Sequence, residues 1–161
     1  MPRFTIFEPN KRSKEMLIKE ITSATAELRE AVNRLLSQLT TTPKEISKVE
    51  LDALVDSRNS HLFIAMDTGG TVGGMITVGT YRAPTGLKGW IEDVVVDEAF
   101  RGRGLGKRLT LHAIEYAKNH GVELLSLTSN PARVAANKLY PETGFRLKET
   151  NVYVMALKKH N

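Results

Sequence analysis

A chain of 161 residues, 41% apolar and 25% charged, is the size of one domain with a single sizeable core, and no run approaches the ~20 apolar residues of a membrane-spanning helix. The absence of cysteine excludes disulfides, thiolate metal sites and a cysteine nucleophile. Twenty-three Lys and Arg against eighteen Asp and Glu give a net charge of +5, which favours anionic partners without choosing among nucleic acid, phosphorylated small molecules and anionic surfaces.

Residues 1–14 are polar apart from "FTIF" and are predicted to form an edge strand or an ordered arm; with no apolar stretch and cleavage site of a secretion signal there, a cytoplasmic protein is expected. "MLIKEI" (16–21) reads as a strand. From Leu28 the apolar residues Ala31, Val32, Leu35, Leu36 and Leu39 fall on one helical stripe. "TPKE" predicts a second helix over roughly 43–56, with Thr42 as N-cap, Pro43 in the first turn and Glu45 reaching back. "HLFIAM" (61–66), a "DTGG" turn and "TVGGMITVGT" (71–80) read as a hairpin. "GWIEDVVV" (89–96) is a strand whose β-branched run implies burial on both faces.

A helix is predicted from near Gly104, carrying Leu105, Leu109, His112, Ala113, Tyr116 and Ala117 on one stripe and stopping at Gly121. "VELLSLT" (122–128) is the next strand, followed by a helix with Asn130 as N-cap and Pro131 at its first position. "GFRLKE" and "NVYVMALK" read as two last short strands joined at Thr150 and Asn151. The order is β-α-α-β-β-β-α-β-α-β-β, a single domain over 1–161 with about seven strands and about four helices. Only the 89–128 segment has the strand, crossover helix, strand form that requires a parallel pair.

The turn "DEAFRGRGLGKRL" joins that strand to its helix. Gly102, Gly104 and Gly106 leave backbone N–H groups uncovered at a helix N-terminus, and Arg101, Arg103, Lys107 and Arg108 surround them with positive charge. This is an anion cradle in form. The spacing G-x-G-x-G does not fit the dinucleotide fingerprint G-x-G-x-x-G, and no acidic residue stands where the ribose would need one. Nor does it fit G-x-x-x-x-G-K-[ST], since Arg108 follows Lys107. An unliganded turn with solvated arginines stays open on these residues alone. RNA binding through "RGRG" finds little support, with 6% aromatic residues and no aromatic–glycine interleaving.

Arg101-x-x-Gly104-x-Gly106 resembles the [QR]-x-x-G-x-[GA] motif of the GNAT superfamily of acyl-CoA-dependent N-acyltransferases. "AANKLYPETGF" is similar to the segment that closes that family's fold, Ala136 to Phe145. The resemblance is strong from about 89 to 148 and rests on element order from 16 to 80. It implies an α/β (α+β) fold, a mixed and mostly antiparallel sheet whose fourth and fifth strands form a central parallel pair that splays apart.

It further implies that residues 101–107 (Arg101, Gly102, Arg103, Gly104, Leu105, Gly106 and Lys107) hold the diphosphate of acetyl-CoA. The main chain of Val94, Val95 and Val96 would take the pantetheine arm, Asn137 would contact it, and Tyr140 would give a proton to the departing thiolate. Glu92 and Asp93, adjacent on a strand, are predicted to point to opposite faces; Glu92 is the candidate base and Asp93 the candidate amine-binding residue. Where many members carry Asn, this chain has Arg133, which could instead reach a phosphate or an acidic substrate. His112 reads as a structural imidazole on the helix stripe, and the four histidines show no ligand spacing, so no metal is predicted.

With no cysteine, direct attack from a ternary complex is the natural route. The resulting expectation is an N-acetyltransferase acting on a small-molecule amine, with no nucleic-acid or membrane partner, and a homodimer would be ordinary for the family. A protein N-terminal or lysine acetyltransferase and a non-catalytic acyl-CoA-binding module are the alternatives.

Overall fold

The computed structural model describes residues 15–158. The predicted arm at 1–14 lies outside the described residues. Five strands form one sheet in chain order: β1 (Met16–Glu20), β2 (Ser60–Asp67), β3 (Val72–Ala83), β4 (Gly86–Val96) and β5 (Leu124–Ser126). The first four pair antiparallel with their neighbours, and β5 pairs parallel with β4. Four α-helices accompany them: α1 (Ala26–Leu36), α2 (Lys48–Val55), α3 (Leu105–Asn119) and α4 (Val134–Glu142). Among the described residues no helix is long and apolar enough to cross a membrane.

The alternation of side chains along a strand divides the core in two. Leu62 and Ile64 of β2 pack with Leu35 and Leu51 of α1 and α2, whereas Phe63 and Ala65 pack with Leu109 and Ala113 of α3. Helices therefore cover both faces of the sheet. That is why "HLFIAM" is a continuous apolar run instead of an alternating one.

Three local expectations are corrected. The second helix starts at Lys48, not near Pro43, because Asn33 of α1 holds Ile46 through both backbone groups: Ile46 N–H donates to Oδ1 at 2.8 Å and Nδ2 donates to the Ile46 carbonyl at 3.3 Å. Ser47 then forms the capping box with Glu50. The last helix starts after Arg133, not at Asn130. Asn130 closes a separate turn, its Oδ1 accepting from Ala132 N–H at 2.8 Å and its carbonyl from Arg133 N–H at 2.9 Å.

The third correction is the strand count, five among the described residues where about seven were expected. Phe145 N–H bonds the Tyr140 carbonyl at 3.1 Å and ends α4, but beyond it the chain does not return to the sheet among the described residues. Residues 146–158 are exposed and form no strand among the described residues, Val152, Tyr153, Val154 and Met155 included. Alternation sets which face a strand would present and does not by itself make it pair; β5 is three residues long, and its outer edge has no neighbour among the described residues.

Candidate active site

The site begins with an interruption in β4. Thr77 of β3 faces Glu92 and Met75 faces Val95, so Asp93 and Val94 together face the single residue Ile76. This is a β-bulge, and Asp93 takes φ 50, a left-handed conformation that Asp tolerates better than most residues. The extra residue resets the alternation: Ile91 and Val94 both pack in the α3-side core, while Val95 packs in the other. The predicted separation of Glu92 and Asp93 onto opposite faces rests on unbroken alternation, and the bulge breaks it. Both carboxylates are exposed. Burial of part of its surface, then the Asp93 charge, raises the pKa of Glu92 above the ordinary range; partial burial raises that of Asp93.

Past the bulge, β4 has an open edge. β5 pairs with it only at Lys88, Gly89 and Trp90. Asp97 N–H donates to the Gly73 carbonyl at 2.9 Å and Val95 faces Met75, so by antiparallel alternation the main-chain groups of Val94 and Val96 point away from β3. Of the three valines, Val95 therefore spends its main chain on β3. Each carbonyl on the open edge is held by an arginine: Arg133 Nη2 donates to Val94 O at 3.0 Å and Arg101 Nε to Val96 O at 3.1 Å.

At the end of that edge lies the glycine turn. Gly102 and Gly104 take φ of +74 and +72, with no atom near the position a Cβ would occupy. Gly104 is the N-cap of α3 and brings no side-chain cap; the first intrahelical bond seen at this end is Arg108 N–H to the Gly104 carbonyl, at 3.1 Å. The N–H groups of Leu105, Gly106 and Lys107 are thus the unpaired first-turn donors of a 15-residue helix, where its dipole is positive. Leu105 anchors the turn through its buried side chain, Arg103 lies 5.7 Å from the Phe100 ring centroid, and Lys107 sits 3.8 Å from Glu142 of α4. This arrangement can hold a polyphosphate in front of α3 and an amide-bearing chain along β4.

Tyr140 comes from α4, its ring buried and edge-on to Phe145 at 6.0 Å. Burial pushes its phenol above the usual value, and the Arg133 charge pulls it back in part. Asn137 does not lend its amide donors outward: Nδ2 donates to the carbonyls of Asn130 at 2.8 Å and Arg133 at 3.0 Å, locking the start of α4. His112 packs edge-on against Phe63 at 4.8 Å, and burial lowers its pKa, the Glu20 charge opposing.

Two features lie outside the sequence reading. Ser129, between β5 and α4, keeps a buried hydroxyl with no hydrogen-bond partner, which no motif announces. A cavity of about 130 Å³ lined by residues including Thr25, Arg29 and Lys48 opens between α1 and α2, and no residue of the bulge or glycine turn lines it. Among the described residues no cluster of His, Asp and Glu is arranged to hold a metal ion.

The family described as the Acetyltransferase (GNAT) family matches residues 27–145. A glucosamine 6-phosphate N-acetyltransferase of Trypanosoma brucei brucei is 34% identical over 122 residues, covering 71% of this chain and 80% of that protein. Among solved structures, a transcriptional regulator from Bacillus halodurans C-125 superposes with a TM-score of 0.75 at 25% identity, covering 88% of this chain and 100% of that one. The glucosamine-6-phosphate N-acetyltransferase from Arabidopsis thaliana superposes with a TM-score of 0.72 at 23% identity, covering 88% and 98%; at that identity the likeness is one of fold.

Proposed function

The chain belongs to the GNAT family of acetyltransferases, and from that premise we propose that it moves the acetyl group of acetyl-CoA directly onto the primary amine of a small molecule. The observation that carries this reading is the run of uncapped amides at Leu105, Gly106 and Lys107, placed where the open edge of β4 ends. The first feature suits a diphosphate and the second an extended pantetheine arm.

In this reading the diphosphate rests on the α3 amides, with Arg101 and Arg103 beside it. The Val94 N–H, on the open edge directly past the bulge, faces the developing oxyanion. The amine nitrogen attacks the thioester carbonyl carbon, the C–S bond breaks with its electron pair going to sulfur, and Tyr140 supplies the thiolate's proton. Asp93 binds the incoming ammonium, Glu92 takes the proton that frees the nitrogen lone pair before attack, directly or through a water, and the second proton, shed by the nitrogen after attack, restores the Tyr140 phenol. The direction of the Glu92 shift, upward through burial and the Asp93 charge, makes it a stronger base than a free carboxylate.

The amine of a phosphorylated amino sugar is the first acceptor to try, because relatives of this chain carry that activity in their names. The test is calorimetric titration with acetyl-CoA and with its 3′-dephospho analogue, followed by thiol release in the presence of glucosamine 6-phosphate and a panel of other amines. Saturable binding with only a modest loss for the analogue, and amine-dependent thiol release, support the proposal. Turnover of peptides alone would move the acceptor to a protein N-terminus or lysine. Absence of acetyl-CoA binding would refute the reading.

A further inference from the structure

β4 and β5 run paired only as far as Trp90 and Ser126, and the chain then continues past the end of β5 toward α4. Carrying the same register onward sets Leu127 level with Ile91, Thr128 level with Glu92, and Ser129 level with the place that Asp93 and Val94 share in the bulge. Two hydrogen bonds tie this stretch to β4. The Asn130 carbonyl accepts from Arg133 N–H at 2.9 Å, and Arg133 Nη2 donates to the Val94 carbonyl at 3.0 Å. Ser129 therefore stands across from Val94, on the far side of a gap that one arginine side chain bridges.

Leu125 and Leu127 pack in the α3-side core with Ile91, Val94 and Phe145, whose ring meets that of Tyr140. Ser129 is the next residue in that alternate row, and it puts a hydroxyl where the pattern calls for an apolar side chain. Its Oγ is buried and has no hydrogen-bond partner in the chain. A buried hydroxyl left unpaired destabilises the fold, and an alanine at the same place would carry no such penalty. Local rules of this kind are broken where a ligand completes the missing bond.

We propose that Ser129 Oγ–H donates to the thioester carbonyl oxygen of the acyl donor, from the opposite side of the gap to Val94 N–H. This rests on the reading of the chain as an acetyl-CoA-dependent N-acetyltransferase. When the amine nitrogen attacks, the carbonyl π pair moves onto that oxygen, and it returns to carbon as the C–S bond breaks. The oxygen takes no proton. One neutral amide stabilises such an oxyanion poorly, and a second donor already in place lowers the barrier further. The neighbouring polar groups do not supply it. Glu92 and Asp93 present carboxylates, and Asn137 Nδ2 donates to the carbonyls of Asn130 and Arg133.

The test is Ser129→Ala, read in two ways. Without ligand, its melting temperature should equal or exceed that of wild type, because the substitution removes a buried hydroxyl that bonds nothing. With acetyl-CoA and an amine that wild type accepts, kcat should fall about a hundredfold, while acetyl-CoA affinity by calorimetry stays within about twofold. A variant that is no less stable yet slower is not what a packing role produces. Ser129→Cys, similar in shape with a weaker donor, should fall between the two in kcat and makes the same reading should Ser129→Ala not fold.

A kcat within twofold of wild type in Ser129→Ala overturns the proposal. So does a loss of acetyl-CoA affinity with kcat unchanged, which would put the hydroxyl on the arm of the bound donor in its ground state. A lower melting temperature overturns it as well, since the hydroxyl would then have a structural partner, protein or water. If wild type neither binds nor turns over acetyl-CoA, the functional reading fails and this role fails with it; an active wild type with an unaffected Ser129→Ala removes the role of Ser129 alone.

Discussion

Arg34 of α1 donates from Nε to Asp97 Oδ2 at 3.1 Å and from Nη2 to the Val72 carbonyl at 2.7 Å, so one side chain binds the first helix to the third strand and to the residue that closes β4. Gln38, a turn further along, accepts from Glu98 N–H at 2.9 Å. The chain enters the glycine turn from a backbone held on the opposite helical layer.

Asp97 should make this tie acid-sensitive. Burial pushes its carboxyl up, but the Ala99 N–H, Arg34 and Gln38 outweigh that and leave its pKa below the usual aspartate range. A carboxyl depressed in the folded state contributes stability that is fully present above its unfolded value, about 3.9, and is lost as pH falls through the folded value. Asp97→Asn should therefore be less stable than wild type at pH 7, by about 1–3 kcal/mol, and the gap should narrow below about pH 4. Urea unfolding at both pH values reads it; a gap of constant size would mean that the carboxylate charge contributes nothing.

Gly104 tests the cradle. Its φ of +72 admits Asp with modest strain, and nothing lies near the Cβ position. Gly104→Asp should fold and lose acetyl-CoA affinity by about a hundredfold, because a carboxylate then faces the diphosphate at a few ångströms. Gly104→Asn, similar in shape and neutral, should lose much less. Calorimetric titration of both distinguishes charge from shape, and equal affinity in all three proteins would place the diphosphate elsewhere.

Tyr140→Phe keeps the ring that packs against Phe145 and removes only the hydroxyl. Thermal stability and acetyl-CoA affinity should stay near wild type while kcat drops about a hundredfold, the loss expected for one positioned acid. A kcat within twofold of wild type would leave the thiolate to take its proton from solvent.

How much of this was legible in the residues depends on whether a feature is local. The α3 stripe, its start at Gly104 and its stop at Gly121 follow from spacing of three and four and from glycine's access to positive φ, and they stand as read. The two-sided burial of the sheet is legible in its apolar runs. The bulge is not, because it exists only as a count of two residues against Ile76, and "IEDVVV" alone carries no partner strand. The same holds for α2: "TPKE" reads as the helix start, but a side chain from α1, Asn33, engages Ile46, and the capping box forms at Ser47 and Glu50 instead. Arg133 was legible only as a departure from the family's Asn, since its partner Val94 is 39 residues away. The last two strands fail for the complementary reason, that an alternating pattern does not by itself ensure pairing.

The bulge carboxylates make a prediction with a definite sign. The Asp93 charge helps raise the pKa of Glu92, so its removal should lower it. Asn is the replacement to use, because it shares with Asp a tolerance for the left-handed conformation at φ 50 and so preserves the bulge. If Glu92 is the base, the acidic limb of kcat/KM reports its titration in the free enzyme, and that limb should move to lower pH in Asp93→Asn. Glu92→Gln should abolish the limb and reduce kcat/KM by about a hundredfold or more. Asp93, proposed to hold the amine, should on replacement also raise KM for the acceptor while leaving KM for acetyl-CoA unchanged. An acidic limb that survives in Glu92→Gln would assign the titration to another group. A limb that moves to higher pH in Asp93→Asn would show that loss of the bulge geometry, not loss of the charge, controls Glu92.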